Sequence, residues 1–97
     1  MTLVELLNDL DHLDDDATIF VDRSADLGPD SAAVTAVSDD KESAEGLSRL
    51  LEIYLAREVL QVWTEWRGGR QPTPEQRCRA VIWYAEKDSY IATNSDP

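Results

Sequence analysis

From Leu47 to Arg67 the chain repeats apolar side chains at helical spacing for about six turns, and then it meets Gly68-Gly69. Set about 100° apart, Leu47, Leu50, Leu51, Tyr54, Leu55, Val59, Val62, Trp63 and Trp66 fall on one broad arc. An arc that wide needs more than one covering neighbour, so the spacing predicts a long central helix over 47–67. Glycine stops a helix well at its C-terminus, and Pro72 blocks immediate continuation. Thr73-Pro74-Glu75-Gln76 then supplies a fresh start: a capping hydroxyl, a proline suited to the first turn, and a glutamine at the capping-box position. The chain must double back here, and the rest of it has to pack around a helical pair. The helix after the turn is expected to reach about Tyr90, with 92–97 a frayed tail.

Ahead of this pair lie shorter signals. Thr2 and Glu5 have capping-box spacing, and Leu3, Leu6, Leu7 and Leu10 form one apolar stripe. Asp14-Asp15-Asp16 opposes the dipole at a helix end and terminates the element. Residues 17–22 hold Thr18, Ile19, Phe20 and Val21, β-branched or aromatic in a short run, and read as a strand. Residues 32–37 read as a second strand, diluted by alanine. The short 23–31 loop between them, with Gly28-Pro29-Asp30-Ser31, predicts antiparallel pairing. Residues 38–46 read as a polar connection. The expected fold is α+β: a small two-stranded antiparallel sheet packed against three helices, in the order α-β-β-α-α, forming a single domain over 1–97.

Charge is distributed unevenly. Residues 1–46 carry thirteen acids against two bases, whereas 47–97 carry seven of each, so the whole net charge of −11 sits in the first half. Such a surface repels phosphate backbones and attracts basic proteins. Nucleic acid is therefore not expected as a partner, although Arg67, Arg70, Arg77 and Arg79 gather a local positive excess around the inter-helix turn. No stretch has the length a membrane span needs. The single cysteine, Cys78, makes no internal disulfide, which suits a reducing, cytoplasmic location.

The chemistry-bearing residues are few. Glu58 falls inside the apolar arc, so it needs a partner or a proton; Arg77 or Arg79 could pair with it, or it could lie at an exposed arc edge. Trp83 points away from the Cys78, Val81, Ile82 and Ala85 face, and Tyr90 follows on the same line. They read as interface anchors unless the tail or the 23–31 loop folds over them. Asp14, Asp15, Asp16, Asp39 and Asp40 are candidates for contact with a basic partner. His12 reads as a solvated surface residue, and Cys78 as a small buried hydrophobe. The Asp9–Asp14 stretch lacks the calcium-loop pattern, and no phosphate loop, dinucleotide fingerprint or zinc spacing occurs. No cofactor or metal is expected.

In size, acidity and want of catalytic motifs, the layout resembles the bacterial immunity proteins, which neutralise toxin domains by binding them. The resemblance implies a non-enzymatic module that neutralises or regulates a basic protein partner. A structural or homo-oligomeric subunit, joined through Trp83 and the arginine cluster, is the first alternative. A small enzyme using Glu58 as acid or base is the second.

Overall fold

The computed structural model describes residues 1–24, 26–36 and 47–91. The polar connection and tail expected at 38–46 and 92–97 lie outside the described residues, as do Asp39 and Asp40. Along the chain come α1 (Leu3–Asn8), a 3-10 turn (Leu10–His12), β1 (Thr18–Val21), β2 (Ala33–Ala36), β3 (Ser48–Glu52), α2 (Ile53–Trp66) and α3 (Pro74–Lys87). The architecture is α+β, a compact globule in which an antiparallel sheet ordered β2-β1-β3 packs with three helices.

The sheet has three strands, and this corrects both the two-stranded expectation and the unbroken helix over 47–67. Residues 48–52 pair with β1, from Val21 opposite Ser48 to Thr18 opposite Glu52. The helical spacing of Leu47, Leu50, Leu51 and Tyr54 is broken by a bulge. The register shifts between Ile19 and Phe20, so β3 carries an extra residue there. A bulge lets consecutive side chains turn the same way, and Leu50 and Leu51 are both buried. Two adjacent leucines fit a helical arc as well as a bulged strand, and pairing with β1 decides between them. β3 then runs directly into α2. Glu52 is extended and gives no side-chain cap, and the Ile53 N–H still donates to the Ala17 carbonyl at 2.9 Å.

β1 is the middle strand, as its β-branched and aromatic run suits. Ile19 and Val21 face the main core, and Phe20, on the opposite face of the strand, is buried apart from that cluster. β2 pairs antiparallel with β1, Thr18 opposite Ala36 and Val21 opposite Ala33, as the short loop predicts. At the chain's beginning, the Ala33 N–H donates to the Met1 carbonyl at 2.8 Å, and the Leu3 N–H donates to the Ser31 carbonyl at 2.8 Å. These bonds tie the 28–31 loop to the start of α1.

Both sequence-predicted capping boxes are present, Thr2 with Glu5 and Thr73 with Gln76. The Thr2 backbone N–H and hydroxyl both donate to the Glu5 carboxylate, which holds its pKa below the usual carboxylate range. The first α-helix ends earlier than its leucine stripe suggests, and Leu10 continues that stripe from the 3-10 turn. α3 stops at Lys87, short of the expected Tyr90, where Asp88 adopts the left-handed conformation. α3 packs against α1, α2 and β3 and is the central helix in place of α2. No described helix is long and apolar enough to cross a membrane.

Candidate functional site

Starting α2 at Ile53 resets its faces. Its buried line is Ile53, Ala56, Val59 and Trp63. At about 100° per residue, Tyr54 lies opposite the middle of that line and Glu58 well away from it; both are exposed, Tyr54 at 53%. Trp66, expected inside the arc, sits on the last turn at the edge of the buried line and is 51% exposed.

The turn after α3 gives Trp66 its neighbours. Asp88, at φ 57°, reverses the chain, and Asp is among the few residues that enter this region routinely. Ile91 is then buried in the core, and Arg67 donates to its carbonyl at 3.4 Å and to that of Trp63 at 3.0 Å. Tyr90 is thereby brought back against α2. Its ring meets Trp66 edge-on, with centroids 5.8 Å apart and planes at 71°, and lies 5.2 Å from the ring of Tyr84. The Glu58 carboxylate lies near enough to Tyr90 for its charge to act on the phenol. Burial first, then the negative charge of Glu58 and the neighbouring Tyr84, hold the Tyr90 phenol above the usual tyrosine range. Two helix ends and one left-handed residue thus assemble an aromatic surface with an acid at its edge.

Glu58 is not paired with Arg77 or Arg79 in the way its placement inside an apolar arc suggests. Arg77 reaches to α1 instead, within 3.5 Å of the Leu7 carbonyl and the Asn8 side-chain oxygen. Arg79 is exposed on α3, beside the loop at 27–29. Neither of the two clefts described below is lined by Glu58.

Trp83 does not stand outward. The 27–29 loop lies beside it, and the two line a cleft of about 320 Å³ with Cys78 and Ile82. It is half-buried, its indole N–H is enclosed without a hydrogen-bond partner among the described residues, and Lys87 lies over its ring at 5.8 Å. Amphipathic phase places a residue on a helix face, but a loop from elsewhere decides whether that face meets water. Cys78, at the same cleft, is a buried free thiol; burial, with the charges of Glu75 and Asp30 behind it, pushes its pKa up to about 11. A thiol so raised is a poor nucleophile at neutral pH.

A second cleft, of about 420 Å³, lies between the first helix, α2 and the inter-helix turn, with Leu7, Leu10, Leu60 and Pro72 among its apolar lining and Arg57 and Arg77 among its polar lining. Arg57 has a structural task there. It donates to the carbonyls of Leu10 and Leu13 and pairs with Asp15. A single guanidinium thus ties together two carbonyls of the 3-10 turn region, of which that of Leu10 also accepts the Leu13 N–H at 3.1 Å. No sequence pattern announced this residue.

Among the acidic candidates, Asp15 is engaged by Arg57. Asp14 accepts the Asp16 N–H at 3.0 Å, and all three are exposed. His12 is exposed and bonds Asp9 at 2.8 Å. Among the described residues, no three His, Cys, Asp or Glu side chains come together in a group able to hold a metal. The sequence reading placed Trp66 and Tyr54 inside the apolar arc and left Tyr84 unremarked. The usable signal for Trp66 was its place two residues before Gly68-Gly69, at a helix end where cover is thinnest. No family model matches the chain, and no curated protein or solved structure is significantly similar to it.

Proposed function

We propose that this protein is a non-enzymatic binding module that docks a basic protein partner through the surface formed by Trp66, Tyr90 and Tyr84. The observation that carries the reading is the half-exposed Trp66 indole, fixed edge-on against Tyr90 at a surface edged by Glu58. A large ring that is both exposed and held in place is the usual anchor of a protein interface, because docking it costs little conformational entropy. The net charge of −11 gives the partner its sign and speeds encounter. Exposed Asp14 and Asp16, with the acids at 39 and 40, contribute to that field. Neutralisation of a basic toxin-like protein, in the manner of the immunity proteins that the layout resembles, is the concrete form of this reading. The work is binding in the cytoplasm, with no cofactor.

Self-association is the second reading. β3 lies at one edge of the sheet, and no described strand pairs with its outer side. An open edge is a template for pairing with another chain. Against it, two copies each carrying −11 repel, and Arg67 and Arg77 are directed at backbone carbonyls of their own chain.

The test is affinity capture on immobilised protein at low and at raised salt, with the bound proteins identified. The expected result is one basic protein retained by wild type, released as salt rises, and not retained by Trp66→Ala. Equal recovery by wild type and Trp66→Ala removes the anchor. Light scattering showing a dimer at every salt concentration supports the second reading instead.

A further inference from the structure

The three tryptophans differ in what lies over their rings. Arg67 sits 4.1 Å from the Trp63 ring centroid and Arg70 at 5.4 Å. Lys87 lies 5.8 Å from that of Trp83. Over Trp66, the most exposed of the three, no described cation lies within that range. Its edge-on neighbour Tyr90 leaves ring surface open to solvent, since half of the Trp66 surface remains exposed. The chain uses an indole face to hold a positive charge twice within itself and leaves the third indole at the surface.

The surroundings of Trp66 favour a cation further. The Glu58 carboxylate is near Tyr90, at the edge of the aromatic surface. A carboxylate beside an aromatic surface adds its negative charge to the attraction that a ring face has for a cation. Glu65, adjacent to Trp66 in sequence, is exposed and accepts a hydrogen bond from the Gln61 amide at 3.3 Å. Aromatic faces and carboxylates are thus gathered on one stretch of the α2 surface, on a protein whose whole charge is negative.

We propose that the Trp66 indole face, backed by Tyr90 and Glu58, is a seat for a lysine or arginine side chain of the partner. The inference rests on the basic-partner reading and names its central contact. An aromatic face holding a desolvating cation discriminates by charge as well as by shape, which an apolar patch does not do.

The experiment uses choline and its uncharged carbon isostere, dimethylbutanol, followed by a short oligolysine peptide, each titrated into labelled full-length protein. Each tryptophan contributes its own indole N–H resonance. Choline and oligolysine are expected to shift the Trp66 resonance progressively, leaving those of Trp63 and Trp83 in place, while dimethylbutanol moves none of them. Trp66→Leu keeps an apolar side chain without a ring and should weaken oligolysine binding about two- to five-fold, the span of an exposed cation–π contact. Glu58→Gln should weaken it by less, and because Glu58 is exposed this variant keeps the test readable if the leucine variant misfolds. Equal shifts from choline and dimethylbutanol would overturn the proposal, as would oligolysine shifts confined to Asp14–Asp16. Capture of a basic protein alongside an indifferent Trp66 resonance removes the cation seat and leaves the partner reading standing. A selective choline response with no captured protein does the reverse.

Discussion

Trp66 and Trp83 each sit on the outer part of one member of the helical pair, and they meet opposite fates. Trp66, on the last turn of α2, has half its surface in water and touches a second ring by its edge. Trp83, in the middle of α3, has the 27–29 loop beside it, an enclosed N–H and its own chain's Lys87 over the ring. Helix phase alone points the other way for both. What separates them is third-party cover: the 28–31 loop is fixed to α1 by the Leu3 and Val4 N–H groups, which donate to Ser31 and Pro29, whereas Trp66 ends α2 and, among the described residues, the ring contact made to it is the edge of Tyr90. An indole with cover contributes to stability, and one without is available for contact.

The largest effect tests that division directly. Trp83→Ala removes a half-buried indole from the loop–helix contact and should cost about 3 kcal/mol, the low end of the range for buried aromatic truncation. Trp66→Ala removes an exposed ring and should cost under about 1 kcal/mol. Urea denaturation of the two variants measures both values. Equal losses would mean that Trp66 is packed as firmly as Trp83, and the comparison would collapse.

A smaller effect sharpens the covered side. Cys78 shares the cleft with Trp83, and its thiol is held neutral up to about 11, against 9.0 for the ordinary group. Below pH 9 both folded and unfolded chains keep the proton, and stability is unaffected. Between pH 9 and 11 the unfolded chain loses the proton first, so the unfolded state gains and folding stability falls. A two-unit difference corresponds to at most about 2 kcal/mol once partial hydration of the cleft is allowed for. The measurement is the urea midpoint against pH for wild type and for Cys78→Ala, since the tyrosines also titrate in this range. The wild-type curve should fall more steeply from pH 9 to 11, and parallel curves would show the cleft to be open to water around the thiol.

The local signals in the sequence were strong where chemistry is local. Thr2 with Glu5 and Thr73 with Gln76 announce two helix starts through bonds made within four residues, and both starts are where the spacing puts them. Thr18–Val21 is a strand because β-branched and aromatic side chains fit a pleated surface wherever it lies. Leu47–Glu52 failed for the opposite reason. Its leucines satisfy a helical arc, no glycine, proline or cap separates them from Ile53, and only the ladder to Thr18–Val21 makes them a strand. That error carried into the site, because an arc drawn from Leu47 buries Tyr54 and Trp66 and drags Glu58 inward. Arg57 shows the same limit in another form: a lone arginine on a helix gives no hint that its partners are carbonyls more than forty residues away.

The smallest effect lies on the uncovered side and concerns Tyr90. Its phenol ionises above the usual tyrosine range, with burial the first cause and the Glu58 charge the second. Ionising it places a phenolate in a partly dry site beside a carboxylate, so both causes act in the same direction. Glu58→Gln deletes the second cause and keeps the first. Ultraviolet titration of the three tyrosines should therefore show one late component in wild type that moves only part of the way down in the glutamine variant. Trp66→Ala opens the ring of Tyr90 to water and should lower the same component through the first cause. If Trp66→Ala leaves the late component unmoved while Glu58→Gln restores an ordinary value, charge alone sets the titration, and Trp66 shields nothing. In that case the exposed indole is a free surface ring and not part of a built aromatic contact.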